Sequence, residues 1–167
     1  MIIKYTNFSN GVHEFRLTEP VKKLGLVEMF FGNVDLDVKM DKSSHQIVLD
    51  CDLCVNYKFN CDRCNSDTTR ELKNHFQISY MFSKEKTDSE DYNFKILSPE
   101  QDKINLTEDV FEYVNLAIPL KKLCNDECKG LCLLCGKDLN LETCNCEIKP
   151  NNDIWAPLQK LKENFNN

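Results

Sequence analysis

The sequence predicts an α+β fold: a mostly antiparallel β part with one central helix near residues 106–118, then a cysteine-rich segment and a short terminal helix. Three observations predict this class. Apolar and polar residues alternate along several stretches of the first half, as in half-buried strands. The period then lengthens to three or four residues, as in an amphipathic helix, and cysteines crowd the chain beyond it. We therefore expect a strand-rich domain at 1–122, a cysteine-rich segment at 123–150, and a terminal helix with a tail at 151–167.

Four stretches carry the strand pattern: residues 12–17, 34–40, 46–60 and 75–82. The third is the most regular, with an apolar residue, aromatic residue or cysteine at every odd position. Because its length exceeds that of a usual strand, we expect a bend or bulge near residues 52–54. The polar run at 83–91 has almost nothing to bury, so it predicts a solvated loop.

The central helix is predicted from apolar residues that fall on one face: Leu106, Val110, Phe111, Val114 and Ile118. Asn105 or Thr107 is a suitable N-cap, and Pro119 ends the helix. A second amphipathic helix is predicted after Asp153, with Trp155, Leu158 and Leu161 on its apolar face. This short terminal helix completes the predicted fold.

Composition restricts the environment of the protein. The first residues carry no secretory signal, and no apolar run approaches the roughly 18 residues of a membrane span. We therefore expect a soluble, cytoplasmic protein that does not bind a membrane. In a reducing compartment, cysteines at short spacing indicate metal ligands or redox groups rather than disulfides. The net charge of −6 disfavours a simple nucleic-acid binder, which is usually basic.

The densest cysteine group is Cys132-x2-Cys135-Gly136, followed by Cys144-x-Cys146. A C-x2-C turn directs two sulfurs at one ion, and zinc takes four such ligands in a tetrahedron. Gly136 suits the left-handed backbone that such a turn needs. The spacing predicts a four-thiolate zinc site, although iron could take the same ligands. At least one zinc ion is therefore expected.

A second zinc site is predicted from the cysteines that this group leaves over. Cys61-Asp-Arg-Cys64 needs two partners, and Cys124 and Cys128 remain available. We propose that these four cysteines share a second zinc ion. The alternative is that Cys61 and Cys64 join Cys132 and Cys135, which leaves the other cysteines more loosely placed.

Cys51 and Cys54 form a further pair, which we do not assign to a zinc site. Cys51 has the parity of the buried positions and is expected to be a small core residue, whereas Cys54 lies on the polar face. If this pair is exposed and its pKa is low, a thiol redox sensor is an alternative function. No nucleophile motif, phosphate loop or metalloprotease pair occurs, and four-thiolate zinc sites are closed. We therefore expect no enzymatic activity.

The order of these motifs resembles the YceD-like family. The resemblance covers roughly residues 30–162. It rests on Cys61-Asp62-Arg63-Cys64, then Cys124-x3-Cys128-Lys129-Gly130-Leu131-Cys132-x2-Cys135-Gly136-x2-Leu139-Asn140, then Cys144-x-Cys146. Members of this family are linked to accumulation of large-subunit (23S) ribosomal RNA in bacteria and plastids. The resemblance implies a bacterial or organellar factor needed for synthesis, processing or stability of that RNA.

Two modes of action follow from these expectations. A zinc-stabilised ribosome-biogenesis factor could contact large-subunit ribosomal RNA, or a ribosomal or pre-ribosomal protein, through basic residues near the metal sites. These residues are Arg63, Lys121, Lys122, Lys129 and Lys137. Alternatively, the protein is an adaptor or chaperone that binds a basic ribosomal protein through acidic residues. These are Asp35, Asp37, Asp41, Glu85, Glu90 and Asp91.

Overall fold

The computed structural model describes residues 1–83, 94–98 and 100–146. The chain forms two compact units: the first contains Met1–Asp62 and Ser66–Cys124, and the second Arg63–Asn65 and Asn125–Asn167. The predicted terminal helix and most of the predicted polar loop lie outside the described residues, and the three-part division stays a prediction. In the described part, no helix is long and apolar enough to cross a membrane.

The first unit contains all the strands and the α-helix of the described residues. They are β1 (Ile2–Ile3), β2 (Gly11–Pro20), β3 (Phe30–Lys42), β4 (Gln46–Asn60), β5 (Asp67–Phe82), β6 (Phe94–Leu97), β7 (Ile104–Asn105) and α1 (Thr107–Leu116). Within the described ranges, five strands form one sheet in the order β2-β3-β4-β5-β6. Its neighbours are antiparallel except β5 and β6, which are parallel. β1 pairs with β7 separately. The prediction of a mostly antiparallel, strand-rich fold with one helix is confirmed for this part of the chain.

Strict alternation decides which sheet face is buried. Every odd residue of β4 is buried, and the even residues are exposed or half-buried, because successive side chains of a strand point to opposite faces. The inner faces of β3 and β5 follow the same rule, with Leu36, Met40 and Ile78 fully buried. This apolar face, covered in part by α1, forms the hydrophobic core.

The expected bulge in β4 is wrong. β4 pairs with β5 without interruption, from Gln46 opposite Met81 to Asn60 opposite Asp67. The β3–β4 register shifts instead between Phe31 and Val34. The alternation of β4 never breaks, so no extra residue is needed there. In β3 the pattern does break, and Gly32, with a φ of +78°, provides the left-handed backbone at that point.

Helix α1 packs its apolar stripe on the sheet. Val110 and Val114 are fully buried, and the Tyr113 ring stacks on Phe76 of β5 with ring centroids 4.1 Å apart. The Thr107 N–H donates to the Asn105 side-chain oxygen at 3.1 Å, which satisfies one unpaired N–H of the helix start. Phe111 was expected on the buried face, but it is 38% exposed. It lies about 100° around the helix from Val110, at the margin of the stripe.

Candidate metal centres

In the first unit, the connection between β4 and β5 meets the segment that follows α1. The Cys61 N–H donates to the Ser66 carbonyl oxygen at 2.9 Å and closes a tight turn. The Asp62 N–H donates to the Lys122 carbonyl, and the Lys122 N–H donates to the Asp62 carboxylate at 2.6 Å. The Cys124 N–H then donates to Cys61 Sγ at 3.3 Å. The ligand atoms of Cys61 and Cys124 lie within 4.8 Å of each other.

In the second unit, Arg63 precedes Cys64 in the chain and contacts the segment that carries Cys128. Its Nη1 donates to the Cys128 carbonyl at 2.7 Å, and its own carbonyl accepts the Leu131 N–H. The ligand atoms of Cys64 and Cys128 also lie within 4.8 Å of each other. Asn140 Nδ2 donates to Cys128 Sγ at 3.4 Å. Such N–H donors stabilise a thiolate, the form in which cysteine binds metal.

The other cysteines of the second unit form a complete group. The ligand atoms of Cys132, Cys135, Cys144 and Cys146 all lie within 4.8 Å of one another. Around a zinc ion at about 2.3 Å from each sulfur, tetrahedral ligands are about 3.8 Å apart, so this donor set fits zinc or iron. Cys132 and Cys135 are therefore grouped with Cys144 and Cys146. The alternative, in which they join Cys61 and Cys64, is wrong.

A tight turn shapes this group. The Gly136 N–H donates to the Cys132 carbonyl at 2.9 Å, and the Cys132 N–H donates to the Lys137 carbonyl at 2.8 Å. The φ of Gly136 is +72°, the left-handed conformation expected from the sequence. Four sulfurs are thus gathered by residues close in sequence.

The thiols of this group shift one another's pKa values in opposite directions. Hydrogen bonds from the backbone N–H groups of Cys135 and Leu134 lower the pKa of Cys132 to about 6. The pKa of Cys146 is raised to about 12, first by its hydrogen bond with Cys135, then by burial and by the charge of Cys135. A divalent cation relieves such repulsion between neighbouring thiolates.

Gly130 carries a testable prediction for the second unit. Its φ is +76°, and an added Cβ would lie 3.0 Å from the Arg63 carbonyl oxygen, whereas Gly136, at φ +72°, has open space around it. We expect Gly136→Ala to cost about 1–2 kcal/mol from backbone strain, and Gly130→Ala about 2 kcal/mol more from the clash. Hydrogen exchange of the Leu131 and Leu139 amides measures the difference. Equal losses in the two variants would contradict this account.

The predicted basic contact residues have different local roles. Arg63 holds the Cys128 carbonyl, and Lys137 pairs with Glu142 at 2.9 Å. Lys121 and Lys129 are exposed, and Lys122 is half-buried. Contact of these five residues with RNA or a partner stays a prediction. Of the five, Arg63 already donates a hydrogen bond within the chain, to the Cys128 carbonyl.

Cys51 and Cys54 lie on opposite faces of β4. Cys51 is fully buried, as expected, and burial raises its pKa to about 12. The pKa of Cys54 is raised to about 11 by burial and by a hydrogen bond with Glu71. Residues three apart on a strand are about 10 Å apart, too far for a disulfide. Neither the pKa values nor the geometry favours a redox sensor.

The structure defines the class of this protein: a strand-rich domain with cysteine groups that are suited to binding metal. The chain belongs to the YceD family, because the family model described as Large ribosomal RNA subunit accumulation protein YceD matches residues 46–162. This match includes β4, β5, α1 and all ten cysteines.

Two curated plant proteins are similar to this chain, and both are named Large ribosomal RNA subunit accumulation protein YCED homolog 1, chloroplastic. The Arabidopsis thaliana protein is 23% identical over 156 residues, which is 78% of this chain and 49% of the relative. The Zea mays protein is 40% identical over 63 residues, which is 37% of this chain and 21% of the relative. The chain thus spans about half, or less, of the length of these relatives. No solved structure matches the chain.

Proposed function

We propose that this protein is a zinc-stabilised accessory factor in large-subunit biogenesis, needed for synthesis, processing or stability of 23S ribosomal RNA. The family match over residues 46–162, under a name that refers to large ribosomal RNA accumulation, carries the proposal. The group of Cys132, Cys135, Cys144 and Cys146 supports the metal, since its four sulfurs lie at distances suited to one ion.

Two zinc ions per chain are proposed. One is held by Cys132, Cys135, Cys144 and Cys146. For the other, Cys61, Cys64, Cys124 and Cys128 are the ligands that the sequence predicts. Four thiolates leave zinc no open position for water or substrate, so both ions serve the fold. Accordingly, we propose that the protein has no enzymatic activity.

Direct contact with RNA is proposed through Lys121, Lys122 and Lys129. A lysine beside a phosphate neutralises its charge and releases counterions, which gives affinity without base specificity. The buried Tyr57, Phe59 and Tyr80 belong to the core, so they do not offer stacking platforms. Contact with RNA through these three lysines would rest on phosphates.

The second candidate function is an adaptor for a basic ribosomal protein. One observation favours it: the outer face of the sheet carries Asp35 and Asp37 on β3 beside Asp52 on β4. Part of this charge is neutralised within the chain, since Arg16 makes two hydrogen bonds of 2.6 Å to Asp37. Asp41 is exposed on β3, while Glu85, Glu90 and Asp91 lie outside the described residues.

Ultraviolet crosslinking of the tagged protein in its native cells, with sequencing of attached RNA, tests the proposal. We expect crosslinks concentrated on large-subunit ribosomal RNA or its precursor, and a loss of roughly tenfold for Lys121→Glu/Lys122→Glu. The matched control is Lys39→Glu/Lys58→Glu, with the same charge change on the sheet, which should retain the crosslinks. Co-sedimentation with pre-ribosomes without crosslinks would favour the adaptor. If the protein shows neither crosslinks nor co-sedimentation, both candidate functions are rejected.

A further inference from the structure

Among the described residues, strand β2 forms one edge of the sheet, and its register shows which backbone groups face outward. The Ser43 N–H donates to the Gln46 carbonyl at 2.9 Å, so that pair is a hydrogen-bonded one in the β3–β4 ladder. Hydrogen-bonded and non-bonded pairs alternate in antiparallel ladders. Odd residues of β3 therefore bond to β4, and even residues bond to β2.

Even residues of β3 lie opposite odd residues of β2, for example Met40 opposite His13 and Leu36 opposite Leu17. The outward N–H and C=O groups of β2 thus belong to its even residues: Val12, Glu14, Arg16 and Thr18. Among the described residues, no backbone group or side chain hydrogen-bonds to them. An edge strand of ten residues with a row of available groups is a template for pairing with another strand.

The side chains of β2 select a second copy of the same strand as the partner. In an antiparallel pair related by a two-fold axis, even residues must face even residues so that the outward groups meet. Centring the axis at Glu14 would oppose two glutamates, and centring it at Arg16 would oppose two arginines. Centring it at Phe15 places Glu14 of each copy opposite Arg16 of the other.

This register is complementary on both faces of the sheet. On the outer face, Val12 lies opposite Thr18, and the Glu14–Arg16 pair occurs twice. On the inner face, Phe15 lies opposite Phe15 and His13 opposite Leu17, all of them half-buried. The Arg16 guanidinium has five N–H donors, of which Asp37 accepts two, so donors remain for a carboxylate across the edge.

We propose that this chain forms a two-fold dimer through antiparallel pairing of β2 with β2 of a second copy, centred on Phe15. The pairing forms roughly eight backbone hydrogen bonds and joins the two sheets into one. Between Val12 and Thr18, the edge has no proline, no lysine and no bulge, and its two exposed charges, Glu14 and Arg16, oppose each other in this register.

The test is sedimentation of the metal-loaded chain under reducing conditions over a range of concentrations. The wild-type chain should show a monomer–dimer equilibrium. Glu14→Lys should raise the dimer dissociation constant roughly tenfold or more, because the introduced ammonium group then meets Arg16 of the partner copy twice. Arg16→Glu should raise the dissociation constant by a similar factor, because the introduced carboxylate of each copy then faces Glu14 of the other.

A mixture of the two variants provides the decisive control. Each variant alone should be monomeric, whereas the mixture should form a heterodimer, because the introduced lysine and the native Arg16 of one chain then face two glutamates of the other. If Arg16→Glu does not fold, hydrogen exchange of the wild type still tests the register. Amides of residues 12, 14, 16 and 18 should gain protection as concentration rises.

The proposal would be overturned by a monomer at all concentrations, by a dimer unaffected by Glu14→Lys, or by a dimer whose even β2 amides stay unprotected. Protection of these amides in a monomer would also overturn it, since another segment of the same chain would then cover the edge.

Discussion

Chelation of the metal is expected to unfold residues 125–146 and leave the sheet of the first unit folded. The described part of the second unit has little apolar core of its own, because Leu133, Leu134 and Leu141 are exposed and its buried side chains include Cys128 and Cys132. Structural zinc contributes on the order of 10 kcal/mol of folding free energy in small modules. Hydrogen exchange with and without a zinc chelator should therefore show lost amide protection in residues 125–146 and retained protection in β3 to β5.

Single substitutions separate the two proposed ions. Purified under reducing conditions, the wild-type chain should contain about two zinc ions, and Cys135→Ser should contain about one. Cys54→Ser is the matched control, since Cys54 belongs to no group of metal ligands among the described residues, and it should retain both ions. A Cys135→Ser chain with full metal content and unchanged protection would refute the assignment of this group.

Substitution of the two cysteines of β4 by asparagine should have very different effects. Cys51 is fully buried in the core, so Cys51→Asn places an amide there without hydrogen-bond partners and adds volume to a packed site. We expect a loss of about 3–4 kcal/mol in the free energy of unfolding. Cys54→Asn, three residues away on the outer face, should cost less than about 0.5 kcal/mol.

Urea unfolding at constant metal concentration, followed by far-ultraviolet circular dichroism, measures both losses. The pair controls for residue type, because the same substitution is made in the same strand. Similar losses at the two positions would mean that the faces of β4 are assigned wrongly. A large loss at Cys54 alone would mean that the register with β5 is shifted by one residue.

The faces of the central strand could be predicted from the sequence because the information is local. From Ile47 to Phe59 every second residue is apolar, aromatic or cysteine, and the period of two assigns Cys51 to the core and Cys54 to the surface. The Cys132–Cys146 group was predictable for the same reason. Its four ligands lie within fifteen residues, and Gly136 marks the turn.

Features that depend on contacts between segments distant in sequence were harder to predict from the sequence. The bulge in β3 was missed because it reflects how β3 aligns with β4, not the length of either strand. Phe111 matched the helical period but lies at the edge of the stripe, where its exposure depends on what packs against it. Arg63 was predicted as a contact residue for RNA or a partner, whereas its guanidinium donates to the Cys128 carbonyl 65 residues away.

By itself, the sequence determined the mostly antiparallel, strand-rich class, the buried face of β4, the helix α1, the local cysteine group and the family. Each of these depends on residue type and short spacing, which are properties of the chain before it folds. Only the tertiary structure decided the strand order, the parallel pairing of β5 with β6, and the contact of Cys61 with Cys124. It also left β2 at an edge with its even backbone groups outward. These features join segments distant in sequence, and their geometry follows from packing a whole core, which no local pattern encodes.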